Sequence, residues 1–444
     1  MQIQVTNEAL AAYEEKFLAD RANRVAMDSV MNNGVKKSAR NAKVERETTH
    51  NFSVSLKQGD ITNQKKSGRC WMFSALNFMR FQVMQKLNLA TFELSQNYTL
   101  FYDKLEKANY FLESIMETLD EKADSRLMAY LLSEPLNDGG QWDMLVNIVA
   151  KYGLVPKSAM PETEVSSGTA EMISAMTEKL RGYACVLRRM HSEGKTLEQL
   201  HEAKEAMMET IYNMLCTCLG VPPKSFDLEV RDKDNNYIRD LGLTPKTFFD
   251  KYIGLDLSQY ISLINAPTED KPFYRSYTVK FLGNVKEGKA VRYVNLPVEE
   301  LKKAAIAQMQ DGQPVWFGCD VGQRSEGSTG IMDLNLFDMD ALFNTDFPMN
   351  KGERLTYGQS LMTHAMTFQG VNLDENGKPN RWRVENSWGK DSGKDGYFVM
   401  TDDWFSEFTY QVVVNKKYLS EEILKAYDSE PIPLEPWDPM GSLA

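Results

Sequence analysis

The segment from Gln64 to Phe81 reads QKKSGRCWMFSALNFMRF, and the rest of the sequence is interpreted outward from it. From Cys70 onward, apolar residues occupy nearly every side of a helical projection, and a helix that is hydrophobic all round is a buried helix. The pattern therefore predicts a central, buried helix with Cys70 at its N-terminus. The dipole and the unpaired N–H groups of a helix N-terminus stabilise a thiolate, which is the nucleophilic form of cysteine.

Two strand-like segments far along the chain supply a histidine and an asparagine. One covers residues 363–371 and contains His364 at its start, and the other covers residues 381–386 and ends with Asn386. An Asn-Gly dipeptide at 376–377 lies between them, and this dipeptide between two strands favours a hairpin. We therefore expect His364 and Asn386 to face each other across that hairpin.

These residue types fit acyl transfer by a thiol. A base must take the thiol proton, a side-chain carbonyl must orient the imidazole, and a donor must meet the developing oxyanion. Cys70, His364 and Asn386 fit the roles of nucleophile, base and orienting residue. Gln64, on the loop before the helix, offers an amide donor beside the Cys70 N–H, and Trp388 is expected to cover the Asn–His contact. A buried structural cysteine is the alternative interpretation of Cys70.

Three groups of residues resemble the active-site boxes of the papain family of cysteine peptidases. They are Gln64-x5-Cys70-Trp71-x-Phe73-Ser74, Thr363-His364-Ala365 and Glu385-Asn386-Ser387-Trp388-Gly389. Further matches are ELSQ at 93–96, the pair Gly139-Gly140 and GYF at 396–398. The resemblance implies a papain-like two-subdomain fold with a helical half and a β-barrel-like half. It also implies that Gly139 and Gly140 bind the substrate backbone.

Departures from the secreted papain-like enzymes indicate one branch of the family. Cys70 and His364 are 294 residues apart, against roughly 130–150 in papain-type enzymes, so a large insertion lies between them. Ser67 stands where papain-type boxes carry a second cysteine. The C-terminal sequence WDPMGSLA, residues 437–444, is similar to the C-terminal arm of the bleomycin hydrolase/aminopeptidase C branch.

That branch implies further properties. Its C-terminal arm lies in the active-site cleft, and the terminal carboxylate, here on Ala444, receives the free amino group of the substrate. The chain is then a cysteine aminopeptidase that removes N-terminal amino acids from peptides, assembles as a homohexamer and needs no metal or organic cofactor. A papain-like endopeptidase and a non-catalytic oligomeric binding protein are the alternatives. A frayed terminus is the alternative for the arm.

Helical patterns dominate the first part of the chain and strand patterns dominate the last part, which is typical of an α+β fold. We divide the chain into five regions. They are an N-terminal extension (1–62), a helical half (63–164), a mainly helical insertion (165–272), a β-rich half (273–428) and the C-terminal arm (429–444).

Three local predictions accompany this division. Residues 8–33 form one helix, because apolar positions recur among many charges. Residues 226–230 and 237–241 flank a polar turn and form a β-hairpin. Thr244-Pro245 begins a helix that continues through Tyr252, with threonine as the N-cap and proline in the first turn.

Composition limits the classes of function. The net charge is −11, from 62 acidic and 51 basic side chains, so nucleic-acid binding is disfavoured. The N-terminus does not resemble a signal peptide, and no stretch approaches the roughly 18 consecutive apolar residues of a membrane span.

Cysteine usage favours a reducing cytoplasm, because five cysteines in a long chain do not resemble a disulfide framework. Cys185 and Cys319 are expected in the core. Cys216 and Cys218 point in different directions on a predicted helix, which argues against a metal site.

Overall fold

The computed structural model describes residues 4–57 and 59–443. Ala444, to which the sequence assigned a role in substrate binding, lies outside the described residues. The α-helices are α1 (Asn7–Ala19), α2 (Arg21–Asn33), α3 (Val35–Ala39), α4 (Ala42–Glu47), α5 (Cys70–Lys86), α6 (Gln96–Glu117), α7 (Arg126–Ser133), α8 (Trp142–Tyr152), α9 (Glu164–Ser167), α10 (Ala170–Ser192), α11 (Leu197–Leu219), α12 (Pro245–Phe248), α13 (Val298–Gln310), α14 (Met339–Phe343), α15 (Lys351–Thr356), α16 (Asp402–Phe408) and α17 (Glu421–Asp428).

The strands are β1 (Val54–Ser55), β2 (Phe226–Arg231), β3 (Tyr237–Leu243), β4 (Tyr260–Ile264), β5 (Arg275–Val279), β6 (Tyr293–Asn295), β7 (Val315–Cys319), β8 (Ser325–Glu326), β9 (Ile331–Met332), β10 (His364–Leu373), β11 (Pro379–Glu385), β12 (Tyr397–Thr401), β13 (Thr409–Asn415) and β14 (Ile432–Leu434). Twelve of these form one sheet in the order β14-β5-β6-β4-β13-β7-β10-β11-β12-β9-β8, with β1 beside β10. Helices and strands are largely segregated along the chain, which confirms the predicted α+β class.

The pairing of β10 with β11 confirms the predicted hairpin. The two strands are antiparallel, with Thr367 opposite Glu385. On its other side β10 pairs with β7, so that His364 lies opposite Cys319. His364 therefore occupies the first position of a strand inside the sheet, where pairing with β7 fixes its backbone.

Helix α5 is buried along its length, as its apolar character predicts. Fourteen of its 17 residues are buried. The hydroxyl of Ser74 lies 3.1 Å from that of Thr367 on β10, and the indole N–H of Trp316 on β7 donates to the carbonyl of Trp71 at 3.0 Å. These bonds hold the first turn of α5, which carries Cys70, against the strands that carry His364.

The segment between the two halves contains two long helices, α10 and α11. Each buries one apolar stripe at helical spacing, formed by Met172, Met176, Leu180 and Leu187 on α10 and by Leu200, Met207, Ile211 and Leu215 on α11. Cys185 lies off this stripe and is exposed, so its predicted core position is wrong, whereas the buried position of Cys319 is confirmed. The exact division of the chain into five regions stays a prediction.

The N-terminal segment forms two helices rather than the single helix predicted. The chain breaks at Asp20, whose backbone is extended and whose carboxylate accepts from the Ala22 N–H at 2.8 Å. A capping side chain that satisfies the first N–H groups of α2 favours a new start over a continuous helix. No residue of α1 or α2 is buried.

The other local predictions hold with one change. Strands β2 and β3 form the predicted hairpin. Thr244 caps α12 as expected, but the α-helix ends at Phe248 and a single π-helical turn, Phe249–Ile253, completes the segment.

Candidate active site

Cys70 is the first residue of α5 and is almost completely buried. The backbone N–H groups of Ala365, Trp71 and Cys70 itself interact with its thiol and favour the thiolate, but burial acts more strongly and raises the pKa of Cys70 to about 11. The contact with Ala365 places the sulfur beside the start of β10, one residue from His364.

His364 is buried and bonded to the predicted asparagine. Its Nε2 lies 2.9 Å from Oδ1 of Asn386. The Ser387 N–H donates to the same oxygen at 2.8 Å, so this atom acts as an acceptor and His364 carries its proton on Nε2. Nδ1 is then left as an acceptor. Burial lowers the pKa of His364 to about 4, against the opposing effect of the Asn386 hydrogen bond.

Trp388 covers this pair from one side. Its ring lies 4.9 Å from the imidazole of His364, centroid to centroid, with the planes tilted by 36°. Asn386 is buried, and its Nδ2 has no hydrogen-bond partner among the described residues. Trp388 therefore packs against the imidazole of the His–Asn pair.

Gln64 is held at both ends of its side chain. Its Oε1 accepts from the Ser387 hydroxyl at 2.6 Å, and its Nε2 donates to the Ser67 carbonyl at 2.6 Å. Its backbone N–H donates to the carbonyl of Ser387 at 2.8 Å. Ser387 therefore links the loop before α5 to the segment after β11. Its N–H binds the side chain of Asn386 and its hydroxyl binds that of Gln64, so one residue positions both.

A buried ion pair, which the sequence analysis missed, ties helix α5 to the residue before Asn386. Arg80 of α5 lies 2.8 Å from Oε1 of Glu385, the residue before Asn386, and both side chains are buried. Gln369 of β10 donates to the other carboxylate oxygen at 2.8 Å. An arginine inside a helix predicted to be buried was the available signal, because a buried charge needs a partner. We call Cys70, Arg80, His364, Glu385 and Asn386 the buried seam.

Gly140 lies directly against the indole of Trp71, the residue after Cys70. A Cβ at this position would come within 2.5 Å of the indole ring, so glycine is required for close packing. The Trp71 indole N–H donates to the carbonyl of Asp138 at 2.7 Å. The Gly139-Gly140 segment is therefore fixed beside the N-terminus of α5.

The described part of the C-terminal arm, residues 429–443, reaches the same place. Strand β14 pairs in parallel with β5, and Asp438 lies 2.8 Å from Lys271. The Ser442 carbonyl accepts from the side chain of Gln141 at 2.7 Å, and its hydroxyl donates to the carbonyl of Met362 at 2.6 Å. Gln141 follows Gly140, and Met362 lies two residues before His364.

A cavity of about 380 Å³ lies beside the end of the arm. Gly139 lines one part of it, and residues 441–443 line another. The described arm is therefore ordered against the segments that flank the candidate catalytic residues and is not a frayed terminus.

Both side chains are neutral in the free protein, because burial raises the pKa of the Cys70 thiol and lowers that of the His364 imidazole. Burial opposes an isolated thiolate and an isolated imidazolium, as the pKa shifts of Cys70 and His364 indicate. Transfer of the thiol proton to the unprotonated Nδ1 creates both charges together, so the net charge of the site is unchanged. Within residues 4–57 and 59–443, no group of three His, Cys, Asp or Glu side chains converges to hold a metal ion. No described helix is long and apolar enough to cross a membrane.

Comparison with known proteins identifies clear relatives over the whole chain. Residues 4–441 match the family model described as Peptidase C1-like family. Aminopeptidase C of Listeria monocytogenes is 51% identical over 444 residues, covering 100% of both chains. Bleomycin hydrolase of Rattus norvegicus is 46% identical over 391 residues, covering 86% of each chain. The solved structure of PepW from Lactobacillus rhamnosis HN001 superimposes with a TM-score of 0.98 at 49% identity and covers 100% of both chains.

Proposed function

This chain belongs to the Peptidase C1-like family, and we propose that Cys70 is its nucleophile, His364 its base and Asn386 the residue that orients the histidine. The fold is papain-like, and the activity is that of a cysteine-type aminopeptidase acting on peptides. The observation that supports the assignment is the bond from His364 Nε2 to Asn386 Oδ1 at 2.9 Å, beside the buried thiol at the start of α5.

In the proposed reaction, Nδ1 of His364 takes the proton of Cys70, and the thiolate attacks the carbonyl carbon of the first peptide bond. The carbonyl oxygen becomes an oxyanion near the Cys70 N–H. Gln64 contributes the second donor, because an amide has two N–H bonds and Ser67 takes one of them. His364 then protonates the departing amine. Water releases the N-terminal amino acid and restores the thiol.

The preference for a free N-terminus is assigned to the C-terminal arm. Bonds from Ser442 to Gln141 and Met362 hold the arm beside the site, and the carboxylate of Ala444 follows two residues later. We assign that carboxylate to the amino group of the substrate, the backbones of Gly139 and Gly140 to substrate contact, and Trp388 to shielding of the His–Asn pair.

Self-association as a homohexamer is part of the proposal. The apolar side chains of α1 and α2 are largely exposed in the single chain, and they include Leu10, Tyr13, Phe17, Val25 and Met31. An exposed apolar surface of this kind is typical of a protein interface. A cytoplasmic location is also proposed, because all five cysteines are unpaired and a reducing compartment preserves the nucleophile.

The decisive experiment compares a fluorogenic aminoacyl amide with its N-acetylated twin under reducing conditions. We expect rapid release from the free amine alone, and a loss of at least about 10³-fold in kcat/KM for Cys70→Ala. Cys185→Ala, which removes an exposed cysteine, is the matched control and should retain full activity. Equal cleavage of the blocked twin would favour an endopeptidase, and an inert Cys70 toward an alkylating reagent would favour a non-catalytic protein.

A further inference from the structure

Two buried lysines of α6 lie beneath the segment that packs against Trp71. The side chain of Lys104 is completely buried and that of Lys107 is 6% exposed. Asp103 precedes Lys104 and is also completely buried. We call these three residues the lysine cluster. Burial of charged groups is costly unless each has partners, so their contacts indicate what the cluster does.

The lysines bind backbone carbonyls of residues 137–141, which we call the substrate-contact segment because it contains Gly139 and Gly140. Lys107 Nζ donates to the carbonyl of Asn137 at 3.0 Å and to that of Gly139 at 2.5 Å. Lys104 Nζ also donates to the carbonyl of Asn137. The Trp71 indole takes the carbonyl between them, that of Asp138. Three successive carbonyls are thus bound from the side of α6 and α5.

The charges of the cluster are balanced locally. Asp103 lies 3.1 Å from Lys107 and 3.4 Å from Lys104, and Asp138 lies 3.0 Å from Lys104. The amide of Asn284 donates to the remaining oxygen of Asp103 at 3.1 Å. Two lysines facing two carboxylates leave no excess charge for a ligand, so the cluster serves the protein backbone.

We propose that Lys107, supported by Lys104 and Asp103, is a positioning residue that fixes residues 137–141 for both the substrate backbone and the C-terminal arm. The inference deepens the proposed function and rests on it. Gly139 and Gln141 are separated by one residue in this segment. Lys107 binds the carbonyl of Gly139, and Gln141 binds the carbonyl of Ser442. A shift at Lys107 therefore moves the substrate-contact segment and the anchor of the arm together.

The protonation of Lys107 gives the proposal a second signature. Burial lowers its pKa to about 8, while Asp103 and Asp138 oppose that shift and Lys104 adds to it. Above that pH a neutral amine has lost one donor, and the carbonyls of Asn137 and Gly139 are held less firmly. We expect the KM of the unaltered enzyme for a free aminoacyl amide to rise across this range.

The test is Lys107→Met, with Lys302→Met as the matched control. Lys302 is also a buried lysine, paired with Asp402 at 2.7 Å in the β-rich half. In Lys107→Met we expect the KM for the free aminoacyl amide to rise about tenfold with kcat within about threefold, and the preference over the N-acetylated twin to fall about tenfold. The KM of Lys107→Met should also lack the part of the rise above pH 8 that is due to Lys107. The effects of substrate and thiol ionisation on KM remain in both the unaltered and the variant enzyme. Lys302→Met should keep the KM, the preference and the pH profile.

The outcomes separate this inference from the proposed function. If unaltered enzyme and Lys302→Met are active but Lys107→Met matches them in KM, preference and pH profile, the positioning role is wrong. If unaltered enzyme has no Cys70-dependent aminopeptidase activity, the proposed function itself is wrong. Should Lys107→Met not fold, Lys107→Gln, which keeps one donor, is judged by the same three readouts, with an expected change of about threefold.

Discussion

The buried seam and the C-terminal arm meet at one site, but they are built differently. In the seam, buried side chains from α5, β10 and β11 bind one another, as in the pairs Arg80–Glu385 and His364–Asn386. The arm is held by backbone groups, such as the carbonyl of Ser442, by a buried pair between Lys271 and Asp438, and by a partly exposed pair between Lys280 and Glu435. Exposed ion pairs of this kind contribute little to stability.

We expect this difference in construction to separate the chemical step, which depends on the seam, from the selection of substrate, which depends on the arm. Removing a partner from the seam leaves a buried charge or an unoriented histidine, so both stability and turnover depend on it. The last residues of the arm bind Gln141 and Met362, which lie beside the seam and not in it, so their removal should change which peptides enter while the reacting groups stay in place. The following experiments test whether this separation holds, in order of decreasing expected effect.

The largest effect is expected for His364→Ala. Without its base, the Cys70 thiol must ionise alone, and burial already raises its pKa to about 11 in the unaltered protein. Alkylation of Cys70 by iodoacetamide at pH 7 should slow by at least about 10³-fold and recover about tenfold per pH unit as the pH rises. Mass spectrometry of each cysteine provides the control, because exposed Cys185 should react equally in both proteins. An unchanged alkylation rate at Cys70 would show that His364 does not act as the base for this thiol.

Arg80→Met should destabilise the fold by about 3–5 kcal/mol in urea unfolding, because Glu385 becomes a buried carboxylate without its cation. Burial already raises the pKa of Glu385 despite Arg80. A carboxyl with a raised folded-state pKa destabilises the protein above that pKa and not below its unfolded-state value. The loss should therefore be full at neutral pH and shrink as the pH falls toward 4.5, the ordinary pKa of this group.

The control for Arg80→Met is Arg239→Met, which breaks a pair of similar length, 2.8 Å to Glu229, on the surface. It should cost no more than about 1 kcal/mol. Equal losses in the free energy of unfolding for the two variants would mean that burial does not increase the contribution of the Arg80–Glu385 pair.

Removal of residues 439–444 should lower the preference for free over N-acetylated substrates by about 10²-fold, while kcat for the free amine stays within about threefold. The cut leaves β14 and the Lys271–Asp438 pair in place. Lys280→Met, which affects only the exposed part of the arm, should change neither quantity. A matching loss of kcat in the truncated enzyme would show that the arm belongs to the chemistry.

The smallest effect is expected for Gln141→Leu, which deletes one hydrogen bond to the carbonyl of Ser442. One neutral bond contributes about 1 kcal/mol, so the preference for free amines should fall about fivefold. Gln308→Leu removes a buried glutamine that likewise donates to a backbone carbonyl, that of Pro314 at 2.7 Å. This control should destabilise the protein without changing the preference.

Local sequence patterns predicted some elements of the structure correctly, because residues close together in the chain determine those elements. The all-round apolar pattern of α5 required burial, and the Asn-Gly turn between β10 and β11 required a hairpin. Local signals failed at Asp20, where a capping side chain divides one predicted helix into two. They failed also at Cys185, since its place on α10 relative to the buried stripe depends on which face packs against the neighbouring helices.

The sequence by itself determined the α+β class, the order of the reactive residue types and the family, because residue chemistry and periodicity are written along the chain. Only the tertiary structure decided how these groups are held. The Arg80–Glu385 pair joins residues 305 positions apart, and Lys107 reaches carbonyls 30 and 32 positions away. Such contacts exist only after α5 and α6 pack against the sheet and the loop. A buried charge needs a partner, and only the folded chain determines which groups lie close enough to be that partner.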